Sequence, residues 1–286
     1  MIKKLISNIF RKIPKFKGKA YLYNYLDKVL RKYSSETVVQ VGRIKYKLNT
    51  NDIIQRQIMY EGKYEKNIVH IIKALSRQKD DGVIWDVGAN IGAIALPTAE
   101  ALADWSIYCF EPSPHLTYRL HTNVTINDSL SDRIFVVQSA LGDETKVSNF
   151  FISDEDCNTG VGSLGRYHNT KKKGIGVFQT TGDRIIDDGI AEIPDIIKID
   201  VEGFEYEVIK GMSNITKRKN IALIFEVSKY RIKERNISVK KLISHIENRG
   251  FNVYQKNGRR IPKSFSSGNL TKDLIAVKGV FEKTEW

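Results

Sequence analysis

The strongest constraint on how this chain folds is a series of short, nearly unbroken apolar runs at residues 83–87, 107–110, 134–137, 196–199 and 221–227. Runs of this length without polar alternation belong to strands buried on both faces, as in a parallel sheet. Helix-like stretches separate them, at 93–103, 114–127 and 206–212. Such alternation predicts a doubly wound α/β sheet. Two later runs, 251–254 and 274–277, are joined by a loop without a helical crossover. They are expected to pair antiparallel and complete a seven-stranded, mostly parallel sheet with an antiparallel C-terminal strand.

Upstream the pattern changes. Ile2, Leu5, Ile6, Ile9, Phe10 and Ile13 recur at helical spacing among Lys3, Lys4, Arg11, Lys12 and Lys15, a basic amphipathic helix ended by Pro14. It lacks the continuous apolar stretch and small-residue cleavage site of a signal peptide. Two destinations remain open for it: an anionic membrane surface reached through residues 1–16, or packing on the main domain or on a second copy in a homo-oligomer. A second helix is expected over 21–33, a β-hairpin turning at Gly42 over 38–48, and a helical stretch over 52–75. The chain divides into an N-terminal extension, 1–50, and a main domain, 51–286.

No run approaches the roughly 18 apolar residues of a membrane span. Two cysteines, Cys109 and Cys157, are too few for a disulfide framework and lack zinc-ligand spacing, so a reducing, cytoplasmic setting is expected. The net charge of +13 admits a polyanionic partner, whether nucleic acid, membrane or acidic glycan, or simply a composition rich in Lys, Ile and Asn.

In an open α/β sheet the ligand lies beyond the carboxyl ends of the strands. The first run ends at Asp86 and continues Gly88-Ala89-Asn90-Ile91-Gly92, a turn that brings backbone close to a ligand. A dinucleotide site wants glycine at the middle position to admit a pyrophosphate, and this chain has Asn90 there. The second run ends Phe110-Glu111-Pro112, placing a carboxylate where it can accept both ribose hydroxyls of an adenosine. After the third come Ser139-Ala140-Leu141, small and apolar, suited to an adenine ring. The fourth carries Lys198, Asp200 and Glu202 on one side of an extended segment. They neutralise each other, or they stand where a carboxylate can orient a hydroxyl or take its proton.

The segments DVGANIG, FEPSP, SALGDE and KIDVEGFEYEVIKGM, in this order, resemble the FkbM family of class I S-adenosylmethionine-dependent methyltransferases. The likeness reaches upstream to Gln55-Arg56-Gln57-Ile58 and Gly62-Lys63-Tyr64-Glu65, and downstream to Phe225-Glu226, about residues 50 to 230. It implies cofactor positions at Tyr64, Asp86, Gly88, Asn90, Glu111, Pro112, Ala140 and Asp200, and a catalytic pair, Asp200 and Glu202, at the junction with the acceptor. It also implies O-methylation of a small molecule or a sugar, here expected in a bacterial surface glycan.

Alternatives stay open. His168 is a second candidate base. A divalent metal at Asp200 and Glu226 would suit a catechol-type mechanism, but the residues after the fifth run are Val227-Ser228, without the paired Asp-Asn expected there, so no metal is expected. An RNA target fits the charge, but the Asn-Pro-Pro-Tyr type of motif that holds a flipped base is absent, and no nucleic-acid partner is expected. A membrane-associated adaptor with a vestigial pocket is the non-enzymatic alternative.

Overall fold

The structure, a computed structural model, describes residues 2–14, 16–30, 35–152, 162–164, 174–262, 264–265 and 270–286. Cys157, His168 and most of the 154–173 segment, where the sequence is least patterned, lie outside the described residues.

Helices α1 (Ile2–Lys12) and α2 (Lys19–Leu30) lead into an antiparallel hairpin of β1 (Glu36–Val41) and β2 (Ile44–Asn49). Along β2, Ile44, Tyr46 and Leu48 are buried and alternate with more exposed residues, so one face of the ribbon seals against the domain. Helices α3 (Ile53–Glu61) and α4 (Lys66–Ser76) follow. The helical stretch expected over 52–75 is thus two helices, and the break has a local cause. Asp52 caps α3 by accepting the Gln55 amide at 2.9 Å, and Gly62 ends it in the left-handed region, at φ 66°, donating its N–H to the Ile58 carbonyl.

The main sheet begins at β3 (Gly82–Val87) and continues through α5 (Ala95–Ala101), β4 (Trp105–Phe110), α6 (Pro114–Thr125), α7 (Asp128–Ser131) and β5 (Ile134–Val137). The chain then makes β6 (Ala140–Leu141), β7 (Lys146–Ile152), β8 (Gly162–Ser163) and β9 (Ile175–Thr180), a small sheet in the order β6-β9-β7-β8. The sequence pattern did not reveal it. Its two-residue strands carry no periodicity, and β7 and β9 expose Val147 and Phe178 where alternation would predict polar groups.

After α8 (Gly182–Asp187) the chain returns to the main sheet through β10 (Ile196–Ile199), α9 (Glu205–Lys210), β11 (Ile221–Glu226), α10 (Lys229–Glu234), α11 (Val239–Glu247), β12 (Asn252–Gln255) and β13 (Asp273–Lys278). The order is β12-β13-β11-β10-β3-β4-β5, parallel from β11 to β5, with β13 antiparallel to both β11 and β12. Seven strands, mostly parallel and closed by an antiparallel C-terminal pair, is the architecture expected.

Each face of the sheet has its own core. Ile84, Ile107, Ile196 and Ala222 pack with α4, α5 and α6, whereas Trp85, Phe110, Ile197 and Phe225 pack with α8, α9 and α11. A fully buried side chain of this size contributes about 1.5–3 kcal/mol. The first core also takes in Phe10 of α1, Tyr23 of α2 and Val39 of β1. The hairpin is tied down by Asn123 of α6 and Asn127 ahead of α7, which accept the Lys47 and Lys45 amides through their side-chain oxygens, both at 2.8 Å, and Asn127 donates back to the Lys45 carbonyl at 2.7 Å.

From β3 the chain builds β4 and β5 on one side, then crosses back to build β10 and β11 on the other. Strand order therefore reverses between β3 and β10, and the crevice beyond their carboxyl ends is the place for a ligand.

Candidate functional site

A pocket of about 820 Å³, including its open mouth, occupies that crevice. Four strand ends supply its floor. Gly88 to Asn90 follow β3, Glu111 and Pro112 follow β4, Ser139 to Leu141 follow β5, and Asp200 to Glu202 follow β10. Tyr64, in the link between α3 and α4, and Ile54 of α3 close one side; Phe150, Ser163 and Leu164 of the small sheet close another.

The turn after β3 is possible only with glycine. Gly88 has φ 80°, and a Cβ there would lie 1.9 Å from the Asp200 carbonyl oxygen. The β3 and β10 ends thus approach too closely for any side chain, which aligns the turn with the carboxylates beyond it. Asn90 also lies in the left-handed region, at φ 53°, which asparagine tolerates better than most residues.

Glu111 is buried, with each oxygen already fixed. Oε2 accepts the Asn90 amide and Oε1 the Ser113 amide, both at 2.9 Å. Burial pushes its carboxyl up to about 7, opposed by those two bonds and by Lys198. Each oxygen keeps a second lone pair, the arrangement needed to accept a pair of neighbouring hydroxyls.

Asp86 does not line the pocket. It is Lys198's register partner in the parallel ladder, so both side chains leave the same face, and Lys198 Nζ stands 3.0 Å from Asp86 and 3.8 Å from Asp200. The same ammonium donates to the Gly88 carbonyl at 3.1 Å. Burial opposes the charge on Lys198, but attraction from Asp86 and Asp200 outweighs it and raises its pKa. A buried cation thereby braces the glycine turn and one pocket carboxylate together.

Beyond Asp200 the pocket is acidic. Carboxylate oxygens of Asp200, Glu202 and Glu226 lie within 4.8 Å of one another. All three are already ion-paired: Asp200 with Lys198 at 3.8 Å, Glu202 with Arg231 of α10, and Glu226 with Lys272 at 2.9 Å. Burial and the Asp200 charge push Glu202 up to about 7 despite Arg231, and push Glu226 up to about 8 despite Lys272. Burial, then the charges of Glu65 and Asp200, raise Tyr64, so its phenol stays protonated.

Of the residues singled out in the sequence, Tyr64, Gly88, Asn90, Glu111, Pro112, Ala140, Asp200 and Glu202 line the pocket. Asp86 lies beneath it. Sequence reasoning missed Arg231 and Lys272, because a lone basic residue on α10 or before β13 carries no signal until the fold turns it toward the carboxylates. It missed Phe150 for the same reason it missed the small sheet.

Residues 86–253, more than half of the chain, match the methyltransferase FkbM domain. A curated relative, the hexuronic acid methyltransferase AglP of Haloferax volcanii, is 26% identical over 160 residues, 56% of this chain and 61% of its own length. The match therefore spans less than two thirds of that relative. Among solved structures, the methyltransferase FkbM from Methylobacillus flagellatus is 16% identical with a TM-score of 0.49, covering 77% of this chain and 52% of its own. The M. jannaschii TYW2 structure, solved in complex with AdoMet, is 14% identical with a TM-score of 0.42, covering 85% of each chain. Both are distant likenesses, and the fold rests on the strand order itself.

Proposed function

The chain belongs to the FkbM family of methyltransferases, and we propose that it transfers a methyl group from S-adenosylmethionine to a hydroxyl of a sugar in a surface glycan. One observation carries the reading: a buried carboxylate, Glu111, with two free lone pairs, a glycine turn and the carboxylates Asp200 and Glu202 line one pocket.

The residues fit that cofactor. Glu111 would accept the ribose hydroxyls, Ala140 and Leu141 would flank the adenine, and the turn at Gly88 to Asn90 would lie under the amino-acid portion, near Asp200. Bound there, the sulfonium supplies an already activated methyl group. The protein's task is then to align an acceptor oxygen with it and to remove a proton, and alignment alone supplies a large part of the acceleration.

Glu202 is the proposed base. A carboxyl held near 7 is ionised in part at neutral pH and still basic enough to draw a proton from a hydroxyl as its bond to carbon forms. Arg231 fixes its direction, and Asp200 accepts a hydrogen bond that orients the acceptor. Several carboxylates at one pocket end suit a polyol, whose hydroxyls each need an acceptor. The hexuronic acid methyltransferase relative supports a sugar substrate.

Calorimetry with S-adenosylhomocysteine tests the cofactor, and mass spectrometry of envelope glycans from cells carrying Asp200→Ala tests the acceptor. Absence of cofactor binding would sink the enzymatic reading. A missing 14-dalton increment on a sugar, about the mass of one methylene, is the expected signature of the variant.

A further inference from the structure

The charge of this chain is concentrated at one end. Residues 1–32 hold ten of its 46 Lys and Arg and one of its 33 Asp and Glu, so about a ninth of the length carries +9 of the net +13. The one acid, Asp27, is buried against the Tyr60 hydroxyl at 3.1 Å. A general habit of composition does not produce such a distribution.

The same segment exposes apolar surface. Eight of the nineteen large hydrophobic side chains exposed among the described residues fall between Leu5 and Val29. Helix α1 explains how. Its inner face is spent on the domain: Ser7 and Phe10 are buried, Phe10 meets Tyr23 and Tyr60 edge-on, and Arg11 bonds Ser7, Asn8 and the Gln40 carbonyl. Its outer face carries Leu5, Ile9 and Ile13, each one helical turn from the last and 63, 50 and 38% exposed. Phe16, ahead of α2, and Tyr21 and Tyr25, one turn apart on α2, are exposed as well, as are Lys12 and Lys17. The two destinations left open for the basic helix are therefore compatible, because opposite faces serve them.

Three kinds of partner compete for a face both apolar and cationic. A second copy docking through it would bring like charge against like charge. A nucleic acid would satisfy the lysines and leave Leu5, Ile9 and Ile13 in water. An anionic bilayer satisfies both, with aliphatic side chains at the acyl boundary, tyrosines at headgroup level and lysine stems reaching the phosphates. We propose that α1 and α2 form a docking surface for an anionic phospholipid bilayer. Since α1 packs on α3, and Ile54 of α3 lines the pocket, a single helix separates the docking element from the pocket. An acceptor carried in the bilayer is then met from the surface instead of from bulk solution. Docking stands whether or not the acceptor is a glycan.

The test is cosedimentation of the full chain with phosphatidylglycerol-containing vesicles and with pure phosphatidylcholine vesicles. Binding to the first and not to the second is expected. Each positive charge near such a surface is worth about fivefold in partition, so Lys12→Gln with Lys17→Gln should weaken binding about 25-fold. Leu5→Ser with Ile9→Ser should abolish the binding that survives high salt. These side chains are exposed, so both variants should keep the wild-type melting temperature. The proposal is overturned if anionic vesicles do not retain the chain, or if both lipids retain it equally. It is equally overturned if either variant partitions like wild type, if RNA and not vesicles binds to this face, or if Leu5→Ser with Ile9→Ser dissociates a dimer without changing lipid binding. Failure to bind S-adenosylhomocysteine would undo the catalytic reading alone.

Discussion

Replacing Glu111 by glutamine keeps shape and volume while removing charge and one acceptor. In the wild type, both oxygens are held at 2.9 Å by backbone amides, and each offers its second lone pair to a ribose hydroxyl. In the variant, one position becomes an NH₂ group that cannot accept and faces an amide N–H. One charge-assisted bond to the cofactor is lost, at about 1.5–3 kcal/mol, and the other falls to the neutral value of about 1 kcal/mol. The sum, about 3 kcal/mol, corresponds to roughly 150-fold in Kd for S-adenosylhomocysteine by calorimetry. A cycle with the 2′,3′-dideoxy ligand isolates the contact. The wild type should lose most of its affinity for that ligand, and Glu111→Gln should lose little more. Glu111→Gln binding within threefold of wild type, or equal losses for both ligands, would refute the assignment of Glu111 to the ribose.

Gly88→Ala, whose Cβ would collide with the Asp200 carbonyl at φ 80°, should abolish cofactor binding and lower the melting temperature. Lys198→Met strands Asp86 in the core beside Asp200, so a loss of about 3–5 kcal/mol is expected in urea unfolding. Glu202→Gln should lower kcat by about 10²–10⁴. In the wild type, kcat should rise with pH through about 7 as Glu202 ionises, and Arg231→Leu should move that limb upward. A pH profile unchanged by Arg231→Leu would remove Glu202 from the base role. Because Lys272 and Arg231 already pair with Glu226 and Glu202, EDTA should leave the rate unchanged; a tenfold loss restored by magnesium would show a metal instead. Glu205 is buried, and burial pushes it up to about 7 from the usual carboxylate range, so the native state keeps a proton that the unfolded chain releases. Its contribution to stability, at most about 3 kcal/mol, is present below about 4.5 and lost as pH rises through 7. Glu205→Gln should flatten that slope in thermal melts.

The main sheet was legible because its strands are continuous apolar runs, and the strand ends were legible because topology sends ligands there. Glu111 and the Gly88 turn could be placed from sequence for that reason. Asp86 was read as a pocket residue because it ends the same strand, but side-chain direction within a parallel ladder put it opposite Lys198, beneath the floor. Arg231 and Lys272 depend on how α10 and the approach to β13 pack, which no local pattern encodes. The helical stretch expected over 52–75 breaks at Gly62, where one left-handed residue outweighs the apolar spacing on either side and the link that follows brings Tyr64 to the pocket.

Asn123 and Asn127 do for β2 what a neighbouring strand would do, occupying the outward amides of Lys45 and Lys47 with side-chain carbonyls. That substitution decides where the chain can be cut. A fragment starting at residue 51 would leave both asparagines with their acceptors turned to solvent or stranded, and would open the apolar seat of Tyr46 and Leu48. The smallest unit that can be transplanted between relatives therefore includes the hairpin. Chimeras joined after β2 should expose a sticky groove along α6.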